Sequence, residues 1–335
     1  MQEKNLKWGM IGVGNVTEKK SAPALSKIPG SRLVAVGNRT PERAKAYAEQ
    51  HGITSWHRDP VDVIRNPNVE IIYIATPPGS HMEYALAAIR EGKPVYIEKP
   101  MALTWEECQL INEAAAKQGV SVYVAYYRRA LEYFRKVKEL IESGQLGKLL
   151  FVNVKQHFPA RPQDHNRQEP PWHVIPEISG GGYFHDVGCH ALDILFYFFG
   201  DPLEVAGFAA NKGGLYEPED TLGVIMRLPG NLLVTGSWNF ITPDSFRRDQ
   251  VEVVGETGKV KFSIFSFAPI TLVKEDSHES FDIVQPEHIQ MPLIRTIVEE
   301  LKGTGRCPST GETAAVTSRA MDQILDNFSL AAGNR

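Results

Sequence analysis

Asp186, His190 and Asp193 recur at helical spacing in a largely apolar stretch of the chain, residues 184–199. If this stretch is helical, spacings of four and three residues place all three side chains on one face. A histidine titrates near neutrality, so His190 can act as an acid and a base, while Asp186 can orient a hydroxyl or hold the protonated imidazole. Three glycines at 180–182 would leave backbone amides free for a substrate oxygen.

Two other interpretations of this segment are open. His185, Asp186 and His190 could hold a metal, but the two histidines are five positions apart and would not share a helical face, so this reading is disfavoured. His190 and Asp193 could instead satisfy each other as a buried polar pair. We therefore expect acid–base chemistry here and no metal.

A glycine-rich turn follows the first predicted strand. Gly12 allows a tight turn, Gly14 lets a pyrophosphate approach the backbone, and Asn15 and Val16 open a helix whose amides would face the phosphate charge. Thr17 stands where the usual fingerprint has its third glycine. Because a strand precedes the turn and a helix follows it, we predict a dinucleotide site rather than a plain tight turn.

The end of the second predicted strand reads Asn38, Arg39 and Thr40, with Arg43 close behind. NAD-binding proteins usually carry an acid there for the ribose hydroxyls, whereas a 2′-phosphate attracts a guanidinium. The segment therefore favours NADP, with NAD possible. Alternatively, Arg39 solvates the loop end or stacks on adenine without selecting the phosphate.

Lys99 is the second candidate for chemistry. It follows Glu98 at the end of a short apolar run that predicts a buried strand, and ligands of doubly wound sheets bind beyond the carboxyl ends of the strands. A cation there can polarise a reacting oxygen. Lys99 could also carry the proton itself if burial beside a cationic nicotinamide lowers its pKa. Alternatively, Lys99 is only a solvent-facing residue at a strand end.

The first part of the chain alternates buried strands with helices. Strands are predicted at 7–13, 33–37, 70–76, 95–98 and 121–126, and helices at 41–50, 80–91 and 104–118. This alternation predicts a parallel sheet with right-handed crossovers. We expect a doubly wound Rossmann domain, a dinucleotide-binding α/β unit, over residues 1–125.

From residue 126 onward, turns join most of the predicted strands. Strands are predicted at 148–158, 204–211, 220–228, 231–240, 250–254, 259–264, 270–274 and 280–284, and helices at 130–142, 289–302 and 311–328. We expect a C-terminal α+β domain over residues 126–335, with a large, mainly antiparallel sheet, for substrate binding and oligomerisation. One face would be open, and if it exposed Phe151 or Trp238 it would suit a homodimer or homotetramer.

Composition narrows the partners and the compartment. The 36 basic and 40 acidic residues give a net charge of −4 with no basic stripe, so we expect no nucleic acid. Every apolar run is far shorter than the roughly 18 residues that span a bilayer, and the first residues are polar, so we expect no membrane and no export signal. Three separated cysteines, Cys108, Cys189 and Cys307, fit a reducing cytoplasm.

Several of these motifs resemble, in order and spacing, the glucose-fructose oxidoreductase, inositol dehydrogenase and MocA-type oxidoreductase family. The resemblance covers essentially the whole chain. It rests on five segments: Gly12-Val13-Gly14, Thr76-Pro77-Pro78 with His81, Glu98-Lys99-Pro100, the glycines at 180–182, and Asp186-Val187-Gly188-Cys189-His190.

The resemblance implies an NAD(P)-dependent dehydrogenase or reductase that moves a hydride between nicotinamide and a sugar, polyol or keto-sugar carbon. It implies Lys99, Asp186 and His190 as the catalytic set. Further cofactor contacts would come from Thr76, Pro77, His81, Glu98, Lys99 and Trp172. His173 stands where some NADP-dependent members have arginine, a departure from the cofactor clamp. Two similar folds, the NAD-dependent glycoside hydrolases and the dinucleotide sensors without turnover, remain alternatives.

Overall fold

The computed structural model describes residues 5–14 and 17–332. Its described residues form two compact units. Unit 1 takes the chain up to Leu131 together with Pro286–Ala315, and unit 2 takes Glu132–Gln285 and the chain from Val316 onward. The predicted domain limits, 1–125 and 126–335, stay a prediction, and the return of a late segment to unit 1 has no counterpart in them.

Unit 1 is built on a sheet of six parallel strands in the order β3-β2-β1-β4-β5-β6. Strands β4 and β5 are buried throughout because helices cover both faces of the sheet. The elements are β1 (Leu6–Ile11), α1 (Ala22–Lys27), β2 (Ser31–Gly37), α2 (Pro41–His51), β3 (Ser55–His57), α3 (Pro60–Arg65), β4 (Ile71–Ile74), α4 (His81–Arg90), β5 (Val95–Ile97), α5 (Trp105–Gln118) and β6 (Val122–Val124).

Unit 2 is built on an eight-stranded sheet in the order β14-β13-β12-β11-β7-β10-β9-β8, in which only β7 and β10 pair in parallel. Its elements are α6 (Glu132–Glu142), β7 (Leu149–His157), α7 (Pro176–Ser179), α8 (Cys189–Phe199), β8 (Glu204–Ala210), β9 (Thr221–Leu228), β10 (Leu232–Asn239), β11 (Arg248–Gly255), β12 (Gly258–Phe262), β13 (Ile270–Lys274) and β14 (His278–Phe281).

Two helices complete the chain, α9 (Met291–Leu301) in unit 1 and α10 (Gly311–Ala332). The predicted fold class, a doubly wound domain followed by a mainly antiparallel α+β domain, is confirmed. The sequence did not predict β3 and α3, which are short. No described helix combines the length and apolar character needed to cross a membrane.

The two faces of the unit 2 sheet differ. Helices cover one face, where Phe198 of α8 and Phe134 of α6 both meet Phe262 edge-on. The other face exposes large apolar side chains, namely Phe151, Phe208, Ile225 and Leu233. The expectation that Trp238 would be exposed is wrong. Its indole is fully buried and packs edge-on against Phe184, because β10 turns this residue toward the helices.

Candidate functional site

The carboxyl edge of the parallel sheet in unit 1 gathers the predicted cofactor residues. Hydrogen bonds join the strand ends one after another: Gly12 N to Gly37 O at 2.9 Å, Ala75 N to Ile11 O at 2.8 Å and Glu98 N to Ile74 O at 2.9 Å. The segments around Gly12, Asn38, Thr76 and Lys99 therefore lie side by side. The strand order reverses between β1 and β4, where doubly wound sheets bind their ligands.

The glycine-rich turn fits a dinucleotide. Gly12 has a φ of +93°, and a Cβ there would approach the carbonyl oxygen of Ala75 to 2.7 Å, so only glycine fits. Gly14 is exposed, and no atom lies within 4 Å of its Cβ position, which leaves the backbone open to a phosphate. The Thr17 hydroxyl accepts from Gly14 N and donates to Gly14 O. Asn15 and Val16 lie outside the described residues.

The second strand end presents a cation. Asn38 Oδ1 accepts from Thr40 N at 2.8 Å and forms a tight local turn, so this amide helps to shape the loop. Arg39 is exposed, and no carboxylate occupies positions 38–40. The described loop therefore offers a guanidinium, and no acid of its own, to a ribose substituent.

His81 connects two segments at this edge of the sheet. Its ring is fully buried, with Nδ1 3.0 Å from the Pro100 carbonyl oxygen and Nε2 2.8 Å from that of Thr76. Burial lowers the pKa of His81. Pro77 follows Thr76 in the same turn. The imidazole ties the turn after β4 to the residues after Lys99, and its contact with a cofactor stays a prediction.

Glu98 is held by protein groups. Its Oε1 accepts from the Tyr73 hydroxyl at 2.6 Å and from Gln290 Nε2 at 2.8 Å, and Tyr96 donates to the amide oxygen of Gln290. This buried network fixes the backbone immediately before Lys99, whose side chain is half-buried. No pattern in the sequence indicates Gln290, because it lies far along the chain, directly before α9.

In unit 2, the predicted regular helix over 184–199 is wrong in its first turn. Residues Phe184–Gly188 form a π-helical turn, and the α-helix begins at Cys189. A π-turn is wider than an α-turn, so the regular spacing that put Asp186 in line with His190 does not hold. His190 and Asp193 are buried on α8, while the side chain of Asp186 is one-fifth exposed.

Asp186 has a partner that the sequence did not reveal. Arg161 places Nη2 3.5 Å from Asp186 Oδ2, and its guanidinium lies 4.1 Å from the centre of the Tyr183 ring. The backbone N–H of Arg161 and the Tyr183 hydroxyl both donate to the buried Asp164 carboxylate. Arg161 lies in an irregular Pro-Ala-Arg-Pro segment after β7, which has no periodicity that could have signalled its role.

A cavity of about 380 Å³ opens beside these residues within unit 2. Phe265 lines it, and its ring meets the imidazole of His190 edge-on, with centroids 5.5 Å apart. Trp172 also belongs to unit 2. Its indole is partly exposed and stacks on His173 at 3.8 Å.

No group of three or more His, Cys, Asp or Glu side chains within residues 5–14 and 17–332 is arranged to hold a metal ion.

Comparison with known proteins identifies the class. Residues 6–126 match the oxidoreductase family with an NAD-binding Rossmann fold, and residues 134–261 match the GFO/IDH/MocA C-terminal domain. The chain is 36% identical to "Oxidoreductase P35" of Formosa agariphila over 96% of this chain and 98% of that protein. The chain belongs to the GFO/IDH/MocA oxidoreductase family. It is an NAD(P)-binding enzyme, as the sequence predicted.

More distant relatives extend the likeness. The chain is 25% identical to scyllo-inositol 2-dehydrogenase (NAD(+)) of Bacillus subtilis over 94% of this chain and 90% of that protein. Aldose-aldose oxidoreductase from Caulobacter crescentus, solved with glycerol, shares the fold. Its TM-score is 0.86 at 22% identity, over 99% of each chain.

Proposed function

We propose that the chain transfers a hydride between a nicotinamide and the oxygen-bearing carbon of a sugar, polyol or keto-sugar. The observation that carries the proposal is the position of Lys99, which follows β5 at the same sheet edge as the glycine-rich turn. Relatives that act on an inositol and on aldoses support the substrate class.

The proposed roles follow from charge. When bound, the nicotinamide supplies or accepts the hydride. The Lys99 ammonium stabilises negative charge on the reacting oxygen, and His190 takes the hydroxyl proton during oxidation and returns it during reduction. Asp186 orients the substrate hydroxyl or holds the protonated imidazole. If Lys99 itself moves the proton, the pH profile of turnover will follow Lys99 and survive substitution of His190.

We assign NADP as the preferred cofactor, with NAD as the second. Support comes from Arg39, an exposed cation on a loop without an acid of its own. The residues proposed to hold the dinucleotide are Gly12, Gly14, Asn15, Val16, Asn38, Arg39, Thr40, Thr76, Pro77, His81, Glu98, Lys99 and Trp172.

We also infer a cytoplasmic enzyme. Cys108, Cys189 and Cys307 are buried, and burial raises the pKa of the Cys307 thiol to about 11. Buried thiols of this kind suit a reducing compartment.

A panel of sugars, polyols and keto-sugars, each offered with NAD(H) and NADP(H), tests the function. We expect the absorbance of reduced nicotinamide to change with at least one of them. Release of a sugar from a glycoside without net change in nicotinamide would identify a hydrolase instead. Cofactor binding without turnover of any compound would identify a sensor.

A further inference from the structure

The cavity beside Asp186 has an unusual lining. Its walls are mostly aromatic side chains and prolines, and its volume of about 380 Å³ lies in the range of small-molecule sites, roughly 300–1,000 Å³. The lining residues are Phe158, Pro159, Ala160, Arg161, Pro162, Tyr183, Val187, Phe240, Arg247 and Phe265. A sugar ring bound in this cavity would pack its C–H faces against these flat apolar side chains.

The charged residues that line the cavity are both arginines. Arg161 and Arg247 are cations at every working pH, and no carboxylate is among the lining residues. Tyr183, the remaining ionisable group in the wall, stays neutral because burial raises its pKa. The lining residues therefore contribute two guanidinium groups, each paired with an aspartate outside the lining, Asp186 for Arg161 and Asp244 for Arg247.

Arg161 is held in place but keeps hydrogen-bond donors for a ligand. The buried Asp164 carboxylate fixes its backbone, and the Tyr183 ring supports the guanidinium. A guanidinium has five N–H donors. Among the described residues, only the Asp186 carboxylate, 3.5 Å from Nη2, pairs with them. The side chain is 36% exposed, so the remaining donors can reach a bound molecule.

Arg247 is paired with a residue that a ligand can replace. Its Nε and Nη2 lie 2.9 and 2.7 Å from Asp244 Oδ1. Both side chains are more than half exposed, and an exposed pair of this kind contributes little stability. For the same reason, a substrate anion can displace the Asp244 carboxylate from Arg247 at little cost in free energy.

We propose that the substrate of this cavity is an anionic sugar or polyol, whose carboxylate or sulfate is recognised by Arg161 and Arg247. The inference rests on the function proposed above, because the cavity adjoins Asp186 and His190. Planar guanidinium groups bind carboxylate and sulfate oxygens in pairs, a geometry that a neutral hydroxyl does not use. Carboxylate and sulfate share this chemistry, and the experiment separates them.

Matched pairs of substrates test the inference. The ratio of kcat/KM for the acidic over the neutral compound is measured for glucuronate against glucose, galacturonate against galactose, and a monosulfated galactose against galactose. We expect the wild type to favour an acidic member. Loss of one charged hydrogen-bond donor in Arg247→Gln should lower this ratio about 10- to 100-fold. The compound pair with the larger ratio identifies carboxylate or sulfate as the recognised group.

Another exposed arginine of unit 2 provides the control. Arg135 pairs with Glu132, three residues before it, as Arg247 pairs with Asp244, and it does not line the cavity. Arg135→Gln therefore removes the same charge and should leave the ratio unchanged. Arg161→Gln should lower the ratio too, but it also removes the contact to Asp186. Arg247→Gln therefore decides the outcome.

Two failures are distinguishable. If the enzyme turns over neutral sugars as efficiently as acidic ones and Arg247→Gln leaves the ratio unchanged, the anionic substrate is overturned and the proposed function stands. If no compound is turned over, the proposed function falls, and calorimetric titration of glucuronate and glucose tests the cavity. Tighter binding of glucuronate that Arg247→Gln abolishes supports anion recognition, and equal binding overturns it.

Discussion

The imidazole of His185 fills the space beside Gly181 where any other residue would carry a Cβ. An added methyl group would overlap Nδ1 and Cε1 of the ring. His185 is buried, and burial lowers its pKa to about 4, so the ring stays neutral in the folded protein at neutral pH. The glycine thus sets the position of the ring at the start of the π-turn that carries Asp186.

The contact between Gly181 and His185 predicts that substitutions at these two positions have non-additive effects on stability. Gly181→Ala should destabilise unit 2 by about 1–3 kcal/mol, the usual cost of overpacking, and should reduce turnover. In a His185→Ala background the same substitution should cost less, because the smaller side chain leaves room. Thermal melts of the wild type, the two single variants and the double variant give the coupling free energy. Gly223→Ala, whose Cβ would meet no atom within 4 Å, is the control. Additive effects would refute the contact.

Glu219 predicts a pH-dependent stability. It is buried, its Oε1 has no hydrogen-bond partner among the described residues, and burial, with a smaller contribution from Asp220, raises its pKa to about 7. The unfolded chain loses this proton near pH 4.5 and the folded protein only near pH 7. The stability that Glu219 contributes is therefore present at low pH and is lost as the pH rises through that window.

Glu219→Gln removes the proton equilibrium and keeps the shape of the side chain. At about pH 8 the variant should melt at a higher temperature than the wild type, by the equivalent of roughly 2–4 kcal/mol. At about pH 4 the two proteins should melt together. Identical melting temperatures at both pH values would show that the carboxylate ionises normally in the fold.

Arg39 predicts the choice of cofactor. NADPH should bind more tightly than NADH, and Arg39→Ala should weaken NADPH binding about tenfold or more while NADH binding changes little. Titrations followed by nicotinamide fluorescence measure both. Arg65→Ala removes an exposed arginine at the end of α3 and serves as the control. Equal affinities for the two cofactors, unchanged by Arg39→Ala, would overturn the assignment of NADP.

The open face of the unit 2 sheet predicts a homodimer or homotetramer. Leu233 and Phe151 are register neighbours on β10 and β7, and both are exposed. Leu233→Glu should place a charge in the contact and release monomers, whereas Val284→Glu, at a residue 91% exposed outside the strands, should not. Light scattering at micromolar concentration measures the mass. A monomeric wild type would refute the prediction.

Apolar runs explain how much of the fold could be predicted. Two strands are buried on both faces, Ile71–Ile74 and Val95–Ile97. Their consecutive apolar residues indicate strands of a parallel sheet. Ser55–His57 has no such run and becomes a strand through its pairing with β2. The sequence does not indicate the π-turn at 184–188, because a helical pattern in sequence assumes regular α-helical spacing.

The site could be predicted where a residue follows directly from a strand end. The positions of Gly12 and Lys99 beyond β1 and β5 follow from the sequence in this way, and their functional roles stay predictions. The contacts of Arg161 and Gln290 do not, because each acts on a residue far along the chain, Asp186 and Glu98 respectively. Contacts of this kind depend on how the elements pack and leave no local pattern in the sequence.

His190 predicts the pH dependence of turnover. His190→Asn should lose most activity, and the residual rate should no longer vary with pH as a titrating base requires. A thermal melt separates this role from a structural one. If His190 only satisfies a buried partner, the variant should instead lose about 1–3 kcal/mol of stability and keep its pH profile.

Turnover by Lys99→Met tests the proposed chemistry most directly. Methionine keeps the apolar stem and removes the charge, so the melting temperature and cofactor affinity should barely change. Loss of a positioned charge at the reacting oxygen should lower kcat by about two to three orders of magnitude. Near-normal turnover by Lys99→Met, on a substrate that the wild type uses, would contradict the assignment of Lys99.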